Sequence, residues 1–241
     1  MGPILLVCAT PQECAPLLPP AASAKKIGGR AVYELGPQAA ALVGGVGKTN
    51  TAQAVTALLE RAEFAAVVNF GSAGAFLSSG LSPGDLAVAS EEVSDELVVL
   101  PGRLATLAEI GLPLVATEPP LYGRFPVAEG LTGRVLAACR RSLFPGQELA
   151  SGPFLTVSRL TCSRAEAGRL QALLGPLLCE SMEGAAAAQV AHHYGLPFAE
   201  VRAVANLIDD RQRQAWDFGL AARNCGRAVR DLLADLAAKP L

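Results

Sequence analysis

Short apolar runs broken by glycine and proline set the rhythm of this chain. Ile4–Ala9 is apolar throughout and runs into Thr-Pro-Gln-Glu, the pattern of a buried strand that ends in a loop. Arg30–Leu35 and Ala39–Val43 are strand candidates joined across Gly36-Pro37, a hairpin. Ala65–Asn69, Asp85–Ala89, Glu148–Val157 and Phe198–Ala203 read as further strands, and Gly71–Leu81 as a loop. Helical spacing appears in Thr49–Arg61, where Ala52, Val55, Leu58 and Leu59 share a face. Leu131–Leu143, Met182–Tyr194 closed by Gly195, and Ala215–Leu236 are helices as well. Ser163–Leu174 opens with Ser163 as N-cap and Glu166 three residues on, a capping-box pattern. Val99–Gly130 is rich in proline and loses periodicity, so it is expected to lie over the surface or an interface.

Strands alternating with helices predict an α/β class, a three-layer α/β/α arrangement around a central mixed, mainly parallel sheet. No linker-like stretch divides the 241 residues, so one domain, 1–241, is expected. Apolar residues make up 51% of the chain, enough for a sizeable core. The net charge is −2 with no basic stripe, which argues against nucleic acid as a partner. No run of membrane-spanning length occurs, and the N-terminus has no basic start or small-residue cleavage site. No membrane partner and a cytoplasmic location are therefore expected. The six cysteines, Cys8, Cys14, Cys139, Cys162, Cys179 and Cys225, show no Cys-x-x-Cys spacing and read as buried reduced thiols. The two histidines, His192 and His193, point about 100° apart on a helix, so no metal and no cofactor are expected.

Four motifs carry candidate chemistry. Gly44–Asn50 (GGVGKTN) lacks the first glycine of a phosphate loop and the last of a dinucleotide loop. It reads as a glycine turn feeding a helix, whose N–H groups could still hold an anion or hydroxyl. Asn69–Phe76 (NFGSAGAF) offers small residues, either for a tight turn or for close approach of a ligand to the backbone. Glu13 follows the first strand, and Glu183 opens an Ala-rich helix. Each has an ordinary reading, as a solvated loop residue or as favourable charge at a helix N-terminus. Two carboxylates near a polar strand end also suit glycosidic chemistry. Glu200–Asp210 (EVRAVANLIDD) supplies that end at Asn206, an amide that can neither supply nor take a proton at neutral pH.

Taken together, NFGSAGAF, ESMEGAAAAQVAHHYGLPFAEVRAVAN, GGVGKTN and the first strand with Glu13 resemble the purine nucleoside phosphorylase and nucleosidase superfamily. The likeness covers essentially the whole chain and is nearest to its methylthioadenosine/S-adenosylhomocysteine nucleosidase-like group. The resemblance implies Glu13 as the water-activating carboxylate and Glu183 as the ribose-hydroxyl carboxylate, with Met182 against the sugar. It implies Ser72, Ala73 and Gly74 beside the base, Phe154 as the base-stacking aromatic, and a homo-oligomer, a dimer by preference. The chain departs where the family carries a purine-protonating Asp, having Ala205-Asn206 instead. It also has Glu13 where phosphorylases carry a Gly-Asp-Pro loop, which favours water over phosphate as the co-substrate.

An Asn can donate to O6 of a 6-oxopurine and accept from N7–H as that proton arrives. The expected substrate is therefore a 6-oxopurine nucleoside, and the futalosine hydrolases are the branch with such a substrate that the chain resembles. The proton for N7 is left to water or Asp209. The 5′ pocket is left to Val99–Gly130 and Phe218, with Trp216 read as helix packing. An adenine-releasing nucleosidase and a non-catalytic nucleoside-binding protein are the alternatives.

Overall fold

The first apolar run forms β1 (Ile4–Cys8), buried along its whole length because helices pack on both sides of it. Ile4, Leu6 and Cys8 point into one core, Leu5 and Val7 into another, as strand alternation requires. The first core is completed by α3 (Glu129–Ser142) and α6 (Phe218–Ala238), the second by α2 (Lys48–Leu59) and α5 (Gly184–His193). Along α6 the residues Ala221, Cys225, Val229, Leu232 and Leu236 face that core. Each of its buried Val and Leu side chains contributes about 1.5–3 kcal/mol. This computed structural model describes residues 2–209 and 216–241.

Beside β1 run β4 (Ala39–Val43) and β5 (Ala66–Phe76), both parallel to it. The sheet continues outward from β4 through β3 (Arg30–Glu34) and β2 (Lys25–Ile27), each antiparallel to its neighbour. On the other side, β12 (Phe198–Ile208) lies parallel to β5 and antiparallel to β6 (Leu86–Ser94). Next come β10 (Leu149–Thr156), parallel to β6, and β11 (Cys179–Ser181), parallel to β10. β11 also pairs antiparallel with β5 through Cys179↔Ala75 and Glu180↔Gly74, which closes five strands into a ring. The short β9 (Arg124–Pro126) pairs with β6. The sheet is thus mixed, as expected, but not mainly parallel: among the described residues, five of its ladders are parallel and five antiparallel.

Three sequence expectations need correction. β5 does not end at Asn69 but continues through the small residues to Phe76, because β12 pairs alongside as far as Ile208↔Phe76. The Ala-rich helix starts at Gly184, not Met182, since β11 takes the residues before it. The proline-rich excursion is not featureless: β7 (Leu97–Leu100) and β8 (Arg103–Thr106) form a hairpin, and Val115 bridges Leu121 beyond it. Ser163 does cap α4 (Arg164–Leu174), its hydroxyl accepting from Glu166 N at 3.2 Å, while the Glu166 carboxylate pairs with Arg169. The expected terminal helix began at Ala215, which lies outside the described residues; α6 is described from Phe218.

Among the described residues, no helix is long and apolar enough to cross a membrane, and no group of three or more His, Cys, Asp or Glu could hold a metal ion. His192 Nε2 is bonded to the Pro126 carbonyl. Five of the six cysteines are buried, but Cys162 is exposed, contrary to the expectation from the sequence.

Candidate active site

Glu13 sits in a single helical turn, α1 (Pro11–Cys14), that Thr10 caps at the C-terminal end of β1. The turn folds the carboxylate back over the strand end. Ala9 N, Thr10 N and Thr10 Oγ1 donate to Glu13 Oε2 at 3.1, 3.0 and 3.1 Å. Ser72 N and Ser72 Oγ donate to Oε1, both at 2.9 Å. Five donors fix this buried group, and two of them are hydroxyls that can rotate away to admit a water. Gly71 makes the approach possible: at φ +153° its missing Cβ would lie 2.5 Å from Glu13 Oε1 and 2.9 Å from Arg202 Nη1.

Glu183 is the residue before α5, and it faces the start of α2. Gly47 N donates to its Oε1 at 2.9 Å, so the anion held by the GGVGKTN turn is a side chain of this protein. Lys48 of the same motif turns away to Asp95 and Glu96, at 2.5 and 2.9 Å. Burial pushes the Glu183 carboxyl above the usual carboxylate range, while the Arg202 guanidinium and the Gly47 N–H pull it back. Arg202 Nη1 lies 3.6 Å from Glu183 Oε2 and donates to Ser72 O at 3.2 Å. Arg202 is 1% exposed. Burial opposes its charge, but the carboxylates of Glu200, Glu183 and Glu13 outweigh that and hold it charged.

Asn206 reaches the site through a bulge. The β12–β5 register shifts between Val204↔Ala73 and Asn206↔Gly74, leaving Ala205 as the extra residue. Such bulges re-aim a side chain beside a site. The amide nitrogen of Asn206 donates to Leu207 O at 3.3 Å and crowds Gly74, where a Cβ would stand 2.9 Å from it. From the other side of Gly74 comes Glu180 on β11, buried, with Thr161 N donating to its Oε1 at 2.9 Å.

These groups wall one cavity of about 300 Å³. Of the residues expected from the sequence, Glu13, Ser72, Ala73, Gly74, Met182, Glu183, Asn206 and Phe218 all line it. Phe154 does not: it is fully buried on β10 in an apolar cluster with Ala75, Ala87 and Val204. The aromatic wall is supplied by Trp216 and Phe218, packed edge to face at 5.6 Å, so Trp216 lines the cavity rather than packing as part of a helix. Asp209 is not on the wall either, because Arg164 grips its carboxylate through two bonds, at 2.5 and 3.1 Å. No residue of Val99–Gly130 lines this cavity, although Leu104 lines a neighbouring one of about 530 Å³ that shares Leu160 and Thr161 with it.

Sequence reading missed Arg202 and Glu180 as site residues. Arg202 had a legible signal, since Glu200 and Arg202 are two apart on a strand and therefore share a face. Glu180 had none, because β11 is only three residues long.

Residues 3–238 match the phosphorylase superfamily. The chain is 36% identical over 192 residues to a futalosine hydrolase of Thermus thermophilus, an overlap of 79% of each chain. It is 29% identical over 200 residues to a 5′-methylthioadenosine/S-adenosylhomocysteine nucleosidase of Geobacillus thermodenitrificans, covering 82% of this chain and 80% of that one. It shares the fold of the 5′-methylthioadenosine/S-adenosylhomocysteine nucleosidase of Neisseria meningitidis solved with methylthio-immucillin-A. The TM-score there is 0.82 at 24% identity, over 98% of this chain and 100% of that one. The carboxylate at the end of the first strand, the carboxylate before the Ala-rich helix and the polar end of the neighbouring strand therefore sit in a chain that belongs to the phosphorylase superfamily.

Proposed function

We propose that this chain hydrolyses the N-glycosidic bond of a 6-oxopurine nucleoside, with futalosine as its substrate and hypoxanthine as the released base. The observation that carries this reading is the convergence of Glu13, Glu183 and Asn206 on one cavity. The relatives named futalosine hydrolase, in Thermus thermophilus and in Acidothermus cellulolyticus at 32% identity, support the choice of substrate. The helical layers on both faces of the sheet support the three-layer reading of the fold.

In this mechanism the C1′–N9 bond lengthens and its electron pair leaves with the base. Glu183 accepts hydrogen bonds from the ribose hydroxyls, with Met182 against the sugar. A water replaces one of the hydroxyl donors of Glu13, gives its proton to that carboxylate and attacks C1′. Ser72, Ala73 and Gly74 let the base lie against the strand, and Asn206 donates to O6 while charge develops on the ring. Glu180, across Gly74 from Asn206, accepts from N1–H, which a 6-oxopurine has and adenine lacks. A carboxylate facing the bare N1 of adenine leaves an unmatched acceptor, at a cost of about 1–3 kcal/mol. A second water gives a proton to N7 and recovers one from Glu13, which restores the carboxylate; Asp209 is engaged by Arg164. The neighbouring cavity beside Leu104 and Leu160 receives the 5′ arm. A homodimer, formed through the exposed Val99 and Leu112 of the excursion, completes the proposal.

The test is an assay of the purified protein on futalosine, inosine and methylthioadenosine, with the released base measured. Hypoxanthine from futalosine is the expected product. Adenine from methylthioadenosine with no hypoxanthine from futalosine would reject the 6-oxopurine reading in favour of the second one, an adenine-releasing nucleosidase, which the relatives of that name support. Asn206→Asp is expected to move the preference toward 6-amino purines; an unchanged preference removes Asn206 from base selection.

A further inference from the structure

Behind Arg202 stand two carboxyl groups that the reaction above does not use. Glu92 on β6 and Glu200 on β12 are both fully buried. Glu200 Oε1 accepts from Arg202 Nε at 2.6 Å and from Asn69 Nδ2 at 3.2 Å. Glu92 Oε2 accepts from Thr156 Oγ1 at 2.7 Å, and Thr156 Oγ1 in turn accepts from Ala185 N in the first turn of α5, also at 2.7 Å. The remaining oxygens, Glu92 Oε1 and Glu200 Oε2, meet no donor. They converge on one spot against Gly184, where a Cβ would collide with both at once. Two carboxylate oxygens facing each other in a dry interior repel unless a proton lies between them.

We infer that Glu92 and Glu200 share one proton, with Glu92 as the acid, and that this pair is a positioning unit for the site. Glu92 donates to Glu200, Glu200 keeps a single negative charge for Arg202, and Arg202 fixes Glu183 and the Ser72 carbonyl. The proton is held by burial and by the neighbouring charge of Glu200, which push Glu92 well above the usual carboxylate range. Without it, Glu13, Glu183, Glu200 and Glu92 would share one guanidinium. The chain of contacts starts at the first turn of α5, next to Glu183, and returns to Glu183 through Arg202, so the ribose carboxylate is braced from both ends.

The kinetic part of this inference rests on the nucleosidase reading; the protonation part does not. The first measurement is an infrared difference spectrum of wild type minus Glu92→Gln at neutral pH. The carbonyl stretch of a buried protonated carboxylic acid is expected in the wild type and absent from the variant. A spectrum without that band overturns the shared proton, whatever the protein turns out to hydrolyse. The second is kcat and KM on futalosine. A glutamine at 92 can still donate to Glu200 and accept from Thr156, so Glu92→Gln is expected to keep kcat within about threefold. Glu92→Leu and Glu200→Gln are expected to lose about 10²-fold in kcat with a smaller change in KM. Equal losses for Glu92→Gln and Glu92→Leu, or an unimpaired Glu200→Gln, would overturn the positioning role. If the leucine variant does not fold, the comparison of the two glutamine variants decides the same question.

Discussion

A glutamine at position 92 should make the stability of this protein depend on pH differently, and the size of the effect follows from linkage. Glu92 is fully buried and its carboxyl is held well above the usual range, first by burial and then by Glu200. In the unfolded chain the same group releases its proton near the ordinary glutamate value, 4.5. Above that pH the folded state therefore binds one more proton than the unfolded state. The sign is that of a raised carboxyl: its contribution is fully present at low pH and is lost as pH rises toward the folded value. The slope is about 1.4 kcal/mol per pH unit for one proton. Glutamine does not titrate, so Glu92→Gln should gain on the wild type as pH rises above 4.5, by up to about 1.4 kcal/mol for each pH unit over which Glu92 keeps its proton in the fold. Other groups with shifted values, such as Glu183 and His192, are present in both proteins and cancel to first order in the difference. Urea unfolding at pH 5, 6 and 7 and at one protein concentration measures it directly. A stability difference that stays constant across those three pH values would refute the raised carboxyl and the pair built on it.

Four further outcomes are expected. Glu13→Gln should lower kcat by about 10²–10⁴-fold while hypoxanthine still binds; near wild-type turnover removes Glu13 from water activation. The same variant turns an amide N–H toward groups that can only donate, Ala9 N and Thr10 N or Ser72 N, so a loss of about 1–3 kcal/mol should appear in its unfolding curve. Gly71→Ala should cost about 1–3 kcal/mol and most of the activity, because the new methyl displaces the Glu13 carboxylate or Arg202; an active, equally stable variant contradicts the close approach. The acid limb of kcat/KM should lie above the ordinary Glu value, since burial raises Glu183 and only its ionised form accepts two ribose hydroxyls. A limb at or below pH 4.5 would count against Glu183 as the ribose ligand.

Much of the framework was legible because it is written locally. β1, β3, β4, α2, α3 and α4 each carry their own period, and the structure shifts their ends by a residue or two. Glu13 and Glu183 were legible because one follows an apolar strand and the other opens an Ala-rich helix. What was hidden depends on partners far away in sequence. Gly71–Phe76 reads as a loop, and only β12 alongside makes it a strand. The resemblance implied Phe154 as a base-stacking aromatic, yet strand alternation turns it into the core, and Trp216 and Phe218 supply the aromatic surface. Asp209 looked free to give a proton, until α4 brought Arg164 against it.

The buried charges explain why an amide can stand at residue 206. The cavity already gathers Glu13, Glu180 and Glu183, with the Glu200–Glu92 pair behind them, against one buried guanidinium. Negative potential of this kind favours a cationic ribose and opposes another ionised carboxylate at the base. An aspartate at 206 would have to enter this site protonated, at a cost set by its neighbours. An asparagine donates a hydrogen bond at any pH and adds no charge. The same count predicts which way the two substitutions interact. In Asn206→Asp the new carboxylate should be easier to accommodate once Glu180 is neutralised. The double variant Glu180→Gln/Asn206→Asp should therefore recover more activity on 6-amino purines than Asn206→Asp alone. Additive effects in that double-mutant cycle would show that the two residues do not read the same base edge.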